Sequence, residues 1–135
     1  MYSKTLNTLT KFLNNRIVEL MGIFLIIFSV CLLLAILTYS PDDPNLLYTP
    51  ENKKVNNLLG LRGSIVSDFL LQSIGLVSFL FIINLSIWGI KLVKEKYING
   101  FLTRIFFTIT YIIFGTTLIS IFNYNSFWII DHFDL

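Results

Sequence analysis

In 135 residues, 55% are hydrophobic and only 13% charged, against a charged share of about 25% in an ordinary soluble domain. A water-soluble fold of this size would have to bury nearly every residue of three helices, which a small domain cannot do, so acyl chains must be the solvent. The net charge of +2 belongs to short flanks and forms no coherent basic surface, so direct nucleic-acid contact by this segment is not expected.

Three runs lack Asp, Glu, Lys, Arg and His: Leu20 to Tyr39, Phe69 to Ile90, and Ile105 to Phe122. A hydrocarbon core of about 30 Å takes about 20 residues of helix at 1.5 Å each. The first two runs meet that length, and the third reaches it if its helix continues through Asn123 toward Trp128. In the first run thirteen of twenty residues are Leu, Ile, Phe or Val, which favours insertion by about 4 to 8 kcal/mol. The predicted fold is an all-α membrane protein, a polytopic bundle of transmembrane helices. Its parts are an N-terminal segment 1–16, spans over about 17–39, 65–90 and 103–122, an outer loop 40–64 and a cytoplasmic loop 91–102.

The first run is too long for a cleaved signal sequence and has no small-residue cleavage site. Cys31 reads as a small apolar residue, and one cysteine forms no internal disulfide. Basic residues set the orientation. Lys4, Lys11 and Arg16 precede the first span, and Lys91, Lys94, Lys96 and Arg104 lie between the second and third. In the 40–68 stretch Lys53, Lys54 and Arg62 are outnumbered by Asp42, Asp43, Glu51 and Asp68. The positive-inside rule therefore puts the N-terminus and the 91–102 loop in the cytoplasm, with the 40–64 loop and the C-terminal tail outside.

After the first span comes Ser40-Pro41-Asp42-Asp43-Pro44. Pro41 lacks the amide needed to continue a helix and biases Ser40 away from helical dihedrals, so the helix should stop there. Asp42 and Asp43 can accept from nearby backbone amides as Asx-turns, making a rigid corner. Two adjacent carboxylates without further oxygen ligands are a poor metal site, and no metal is expected. Farther on, Asn57-Leu58-Leu59-Gly60-Leu61-Arg62-Gly63-Ser64 carries two glycines that admit sharp bends. Ser64 is the expected N-cap of a second helix running from about Ile65 to Ile90, with Asp68 in its first turns near the outer interface.

A span ending in Tyr39-Ser40-Pro41-Asp42-Asp43-Pro44, then Asn57 through Ser64 with Gly60 and Gly63, then Ser67-Asp68 opening a second span, resembles the N-terminal membrane domain of the FtsK/SpoIIIE DNA translocases. The resemblance covers nearly everything after Arg16, and it marks Ser40, Pro41, Asp42, Asp43, Pro44, Asn57, Gly60, Gly63 and Asp68 as family-motif positions of structural kind. It implies a multi-pass protein of the bacterial inner membrane that anchors a DNA-pumping motor at the division septum and works with other membrane proteins of the divisome. It also implies four spans, a linker, and a RecA-like ATPase that assembles as a hexamer and uses ATP and magnesium. This chain shows three spans and no G-x-x-x-x-G-K-[ST] phosphate loop, so the chain itself is expected to be no enzyme and to hold no cofactor. Three spans with the N-terminus inside leave the C-terminus outside, which points to an N-terminal portion cut before a fourth span. The alternative is a small polytopic subunit or assembly factor of an unrelated membrane complex.

Within the spans, small and hydrogen-bonding residues mark expected helix contacts, chiefly Gly75, Ser78, Asn84 and Gly115. Asn84 lies deep in its run, so its amide should meet another helix of this chain or of a neighbouring subunit. No span carries an ionisable lining, which disfavours transport. Tyr39, Trp88, Tyr97, Tyr124 and Trp128 sit where headgroup-level aromatic belts lie. His132, close to Asp131 and Asp134, is expected to be an exposed interfacial residue.

Overall fold

The computed structural model describes residues 2–44, 54–97 and 100–122. Among them the chain is wholly helical in four elements: α1 (Tyr2–Leu37), α2 (Gly60–Ile74), α3 (Val77–Glu95) and α4 (Phe101–Phe122). Three stretches are long and apolar enough to cross a membrane, Leu9–Leu37, Val77–Glu95 and Phe101–Ile121. Large apolar side chains such as Leu20, Phe24, Ile27, Phe106, Phe114 and Ile121 stand exposed along them. Water does not tolerate such continuous apolar surface, whereas lipid does.

α1 and α3 form the central pair. The face of α1 that is buried carries Gly22, Ser29, Leu32, Ala35 and Ile36, a heptad-like stripe that keeps one side of the helix on its neighbour. At its crossing with α3 the two backbones nearly touch. A Cβ on Gly89 would lie 2.8 Å from the Gly22 carbonyl oxygen and 2.7 Å from Ile26 Cγ1, so only glycine fits there. Seven residues on, the Ser86 hydroxyl donates to Ser29 Oγ at 2.8 Å, a polar tie between helices. Farther along, Leu32 and Ile36 meet Ile82 and Leu71 in one apolar cluster. At the opposite end Glu19 joins Lys96 Nζ (2.7 Å) and Arg16 Nη1 (2.6 Å). These contacts run α1 and α3 antiparallel.

The expected single helix over 65–90 is corrected: it is two helices, broken at Gly75-Leu76. Gly75 takes φ +57° and ψ −142°, a conformation that glycine adopts without steric cost and that ends the helical ladder. Its own N–H still donates to Leu71 O at 2.9 Å, while the Ser78 N–H reaches back only to Gly75 O at 3.0 Å. Gly75 is thus a helix break and not a packing position, since a Cβ there would meet nothing closer than Leu71 O at 3.8 Å. The break has a consequence for membrane geometry. α3 alone has 19 residues, a rise of about 28 Å that matches the hydrocarbon core. The step along α1 from Glu19, level with Lys96, to Thr38 is about 29 Å. α2 therefore packs at the far end of the pair.

Other boundaries shift as well. Helix begins at Tyr2, so the 1–16 segment and the first span are one element. α2 begins at Gly60, inside the expected 40–64 loop. α3 continues to Glu95, where Lys96 caps it in the left-handed region (φ 60°) and its N–H donates to Leu92 O at 3.1 Å. α4 is lightly packed on α3. Asn84 Nδ2 donates to Thr108 Oγ1 (2.8 Å) and lies 3.3 Å from Tyr111 Oη, and Val77 Cγ2 stands 3.0 Å from where a Gly115 Cβ would be. Asn84 and Gly115 thus join α3 to α4 within one chain. Ser78 is fully buried, and among the described residues its hydroxyl has no hydrogen-bond partner. The expected continuation through Asn123 to Trp128, Tyr124, and the Asp131, His132 and Asp134 group lie outside the described residues.

Candidate functional site

A helix ending at Leu37 leaves its last carbonyls without helical donors, and Pro41 can supply none. The shortage is met from nineteen to twenty-two residues away. Asn57 Nδ2 donates to Ala35 O (2.8 Å) and Thr38 O (3.2 Å). Its Oδ1 accepts from the Leu59 N–H at 3.1 Å, so one side chain caps α1 and shapes the turn that opens α2. Thr38 adds a second tie, with its hydroxyl donating to Leu34 O (2.8 Å) and accepting from the Leu58 N–H (3.1 Å).

Asp43 holds the other side of the loop. Its Oδ1 accepts from the Asn56 N–H at 2.9 Å and its Oδ2 from the Asn57 N–H at 2.8 Å. At 2% exposure such a carboxylate would be costly without those bonds. The turn that aims it is closed by the Asp43 N–H donating to Ser40 O at 3.1 Å. The two aspartates differ, because Asp42 is exposed and Asp43 buried. The amides that Asp43 accepts lie thirteen and fourteen residues on, so the expected local Asx-turn is corrected to a long-range clamp.

The glycines follow from this clamp. Gly60 takes φ +65°, and its N–H donates to Asn57 O at 2.9 Å, a turn that disfavours other residues. A Cβ on Gly63 would collide with Asn57 Oδ1 and with Leu59 Cβ, so Gly63 is the space into which the Asn57 amide fits. Ser64 is corrected too. The N-cap position belongs to Leu59, without a side-chain cap, and the Ser64 hydroxyl instead donates to Pro44 O at 2.6 Å in a buried setting. One turn farther, Asp68 Oδ1 accepts from Tyr39 Oη at 3.2 Å and from Gln72 Nε2 at 3.0 Å.

Ser40, Asp43, Pro44, Asn57, Gly60, Gly63 and Asp68 thus gather around the end of α1, with Pro41 and Asp42 on the exposed rim. Ser78, Asn84 and Gly115 lie elsewhere, in the helix contacts. Hydroxyls, amides and one buried carboxylate spent on backbone partners can hold two elements in a fixed relation. Among the described residues no three His, Cys, Asp or Glu side chains are grouped as metal ligands. The arrangement is a lock. Gly22 and Ser29, the α1 partners of Gly89 and Ser86, and the Arg16–Glu19–Lys96 cluster escape a sequence reading centred on the second and third runs. Their signals were the seven-residue step from Gly22 to Ser29 and a lone acid, Glu19, at the edge of the first run.

The family description "4TM region of DNA translocase FtsK/SpoIIIE" matches residues 14–132. The chain belongs to the FtsK/SpoIIIE family. It is 30% identical over 112 residues to the DNA translocase FtsK of Rickettsia typhi, covering 83% of this chain and 15% of that protein. The figures for the Rickettsia prowazekii protein are 31%, 83% and 14%, and for that of Bradyrhizobium diazoefficiens 29% over 84 residues, 62% and 10%. This chain therefore spans only a small part of the FtsK relatives it matches. No solved structure matches it. The lock lies wholly within the part of the chain that matches the FtsK/SpoIIIE region.

Proposed function

We propose that this chain is the membrane anchor and assembly platform of a bacterial DNA translocase, tethering a cytoplasmic DNA-pumping ATPase at the division septum for chromosome segregation. The family match over residues 14–132 carries the reading. In it, translocation belongs to a motor outside this chain that uses ATP and magnesium and forms a hexamer, and this segment makes no direct contact with DNA. Other membrane proteins of the divisome are its partners.

The orientation in this reading has the N-terminus and the Lys91 to Arg104 stretch in the cytoplasm of an inner membrane. The ion cluster supports it, because Arg16 and Lys96 meet Glu19 at one end of the α1–α3 pair, while the Asp43–Asn57 lock sits at the other. Both lysine-bearing segments thus share one membrane face. A lock at the far end would keep α1 and α2 in one arrangement for partners outside the cytoplasm.

A fluorescent fusion of the full gene product in its host tests the reading. Accumulation at midcell in dividing cells is expected, both for the full gene product and for residues 1–135 alone. An even distribution around the cell membrane for both would contradict septal anchoring by this segment.

A further inference from the structure

The second half of α1 and the first turns of α2 do not close on each other. Between them runs a groove of about 310 Å³, walled by Phe28, Cys31 and Ala35 on one side and by Leu59, Arg62 and Val66 on the other. Phe28, Leu59 and Val66 are each more than a third exposed, so the groove opens sideways toward the bilayer. From Phe28 to the last residue of α1 is a rise of about 14 Å, close to the depth of one leaflet of a 30 Å core.

Its lining selects the occupant. Apart from Arg62 the walls are apolar, so the groove suits a hydrocarbon chain. Its charge selects the headgroup. Arg62 is exposed beside Gly63 at the level of the lock, and among the described residues no carboxylate pairs with it. A guanidinium in that place presents several donors to a phosphodiester at headgroup height.

We propose that this groove binds an anionic glycerophospholipid of the leaflet on the lock side, with one acyl chain between α1 and α2 and its phosphate on Arg62. The lipid would extend the apolar packing of Leu32 and Ala35, which line the groove.

The test uses the full chain in phosphatidylcholine vesicles, with Trp88→Phe and Trp128→Phe removing the native indoles and Phe28→Trp placing one at the groove mouth. Quenching of that indole by brominated phosphatidylglycerol should report a site about fivefold tighter than brominated phosphatidylcholine gives. The preference should vanish in Arg62→Gln and survive in Arg62→Lys, with the helical circular dichroism of both variants unchanged. Equal quenching by the two lipids, or a preference that persists in Arg62→Gln, would overturn the proposal. So would an indole shielded from both lipids at high protein density and exposed on dilution, the signature of a second copy in the groove.

Discussion

Asn57 offers the sharpest perturbation of the lock, because one amide serves three backbone groups. At 4% exposure, its loss in Asn57→Ala strands the Ala35 and Thr38 carbonyls and the Leu59 N–H. At about 1 kcal/mol for each bond, somewhat more where a group is left buried and unsatisfied, the expected loss is about 3 kcal/mol. Asn57→Asp is the more telling change. It preserves shape and the Oδ1 acceptor but turns a carboxylate oxygen toward two carbonyl oxygens, so it should destabilise at least as much as alanine. Reversible unfolding in mixed dodecylmaltoside and dodecylsulfate micelles, followed by circular dichroism, gives both values. A loss below about 1 kcal/mol in Asn57→Ala, or an Asn57→Asp variant as stable as the parent, would refute the cap.

Asp43→Asn keeps one acceptor and sets an amide donor against a backbone N–H, so the same titration should show a loss of about 1.5 to 3 kcal/mol. Gly89→Leu forces a side chain into the Gly22 carbonyl and should cost about 1 to 3 kcal/mol or separate the helices, read as an earlier midpoint in the same micelles. Alkaline phosphatase fused after Thr49 should be active in cells, since that loop is expected on the outer face; an inactive fusion there, with an active one after Lys96, would invert the topology.

The lipid-crossing helices were legible in the sequence because charge-free length is a direct physical requirement of the bilayer. The corner residues Ser40 to Pro44 were legible as a group for another reason, that Pro41 stops a helix whatever surrounds it. Their wiring was not. Nothing local says that Asn57 will reach back to Ala35, because capping by a distant residue depends on how the intervening loop closes. The break at Gly75 was hidden by hydropathy, since Leu70 through Ile90 carries no ionisable residue on either side of it and charge-free runs report depth, not backbone dihedrals. Ser64 fitted an N-cap by residue type, yet Gly60 had already turned the chain into a helix four residues earlier. Asn84, deep in its run, needs a partner on another helix and meets Thr108 of α4 within the chain, because its amide has to be satisfied somewhere in the bundle.

The account rests on α1 and α3 lying antiparallel in lipid with the lock at one end of the pair, and disulfide mapping tests that arrangement most directly. In a Cys31→Ser background, Ser29→Cys with Ser86→Cys replaces two hydroxyls 2.8 Å apart by thiols, and mild oxidation of native membranes should give a fast intramolecular disulfide at monomer mobility. Val30→Cys with Ser86→Cys, on the exposed side of α1, should remain reduced. A Ser29–Ser86 pair that does not close, or a Val30 pair that closes equally fast, would contradict the packing on which everything else depends.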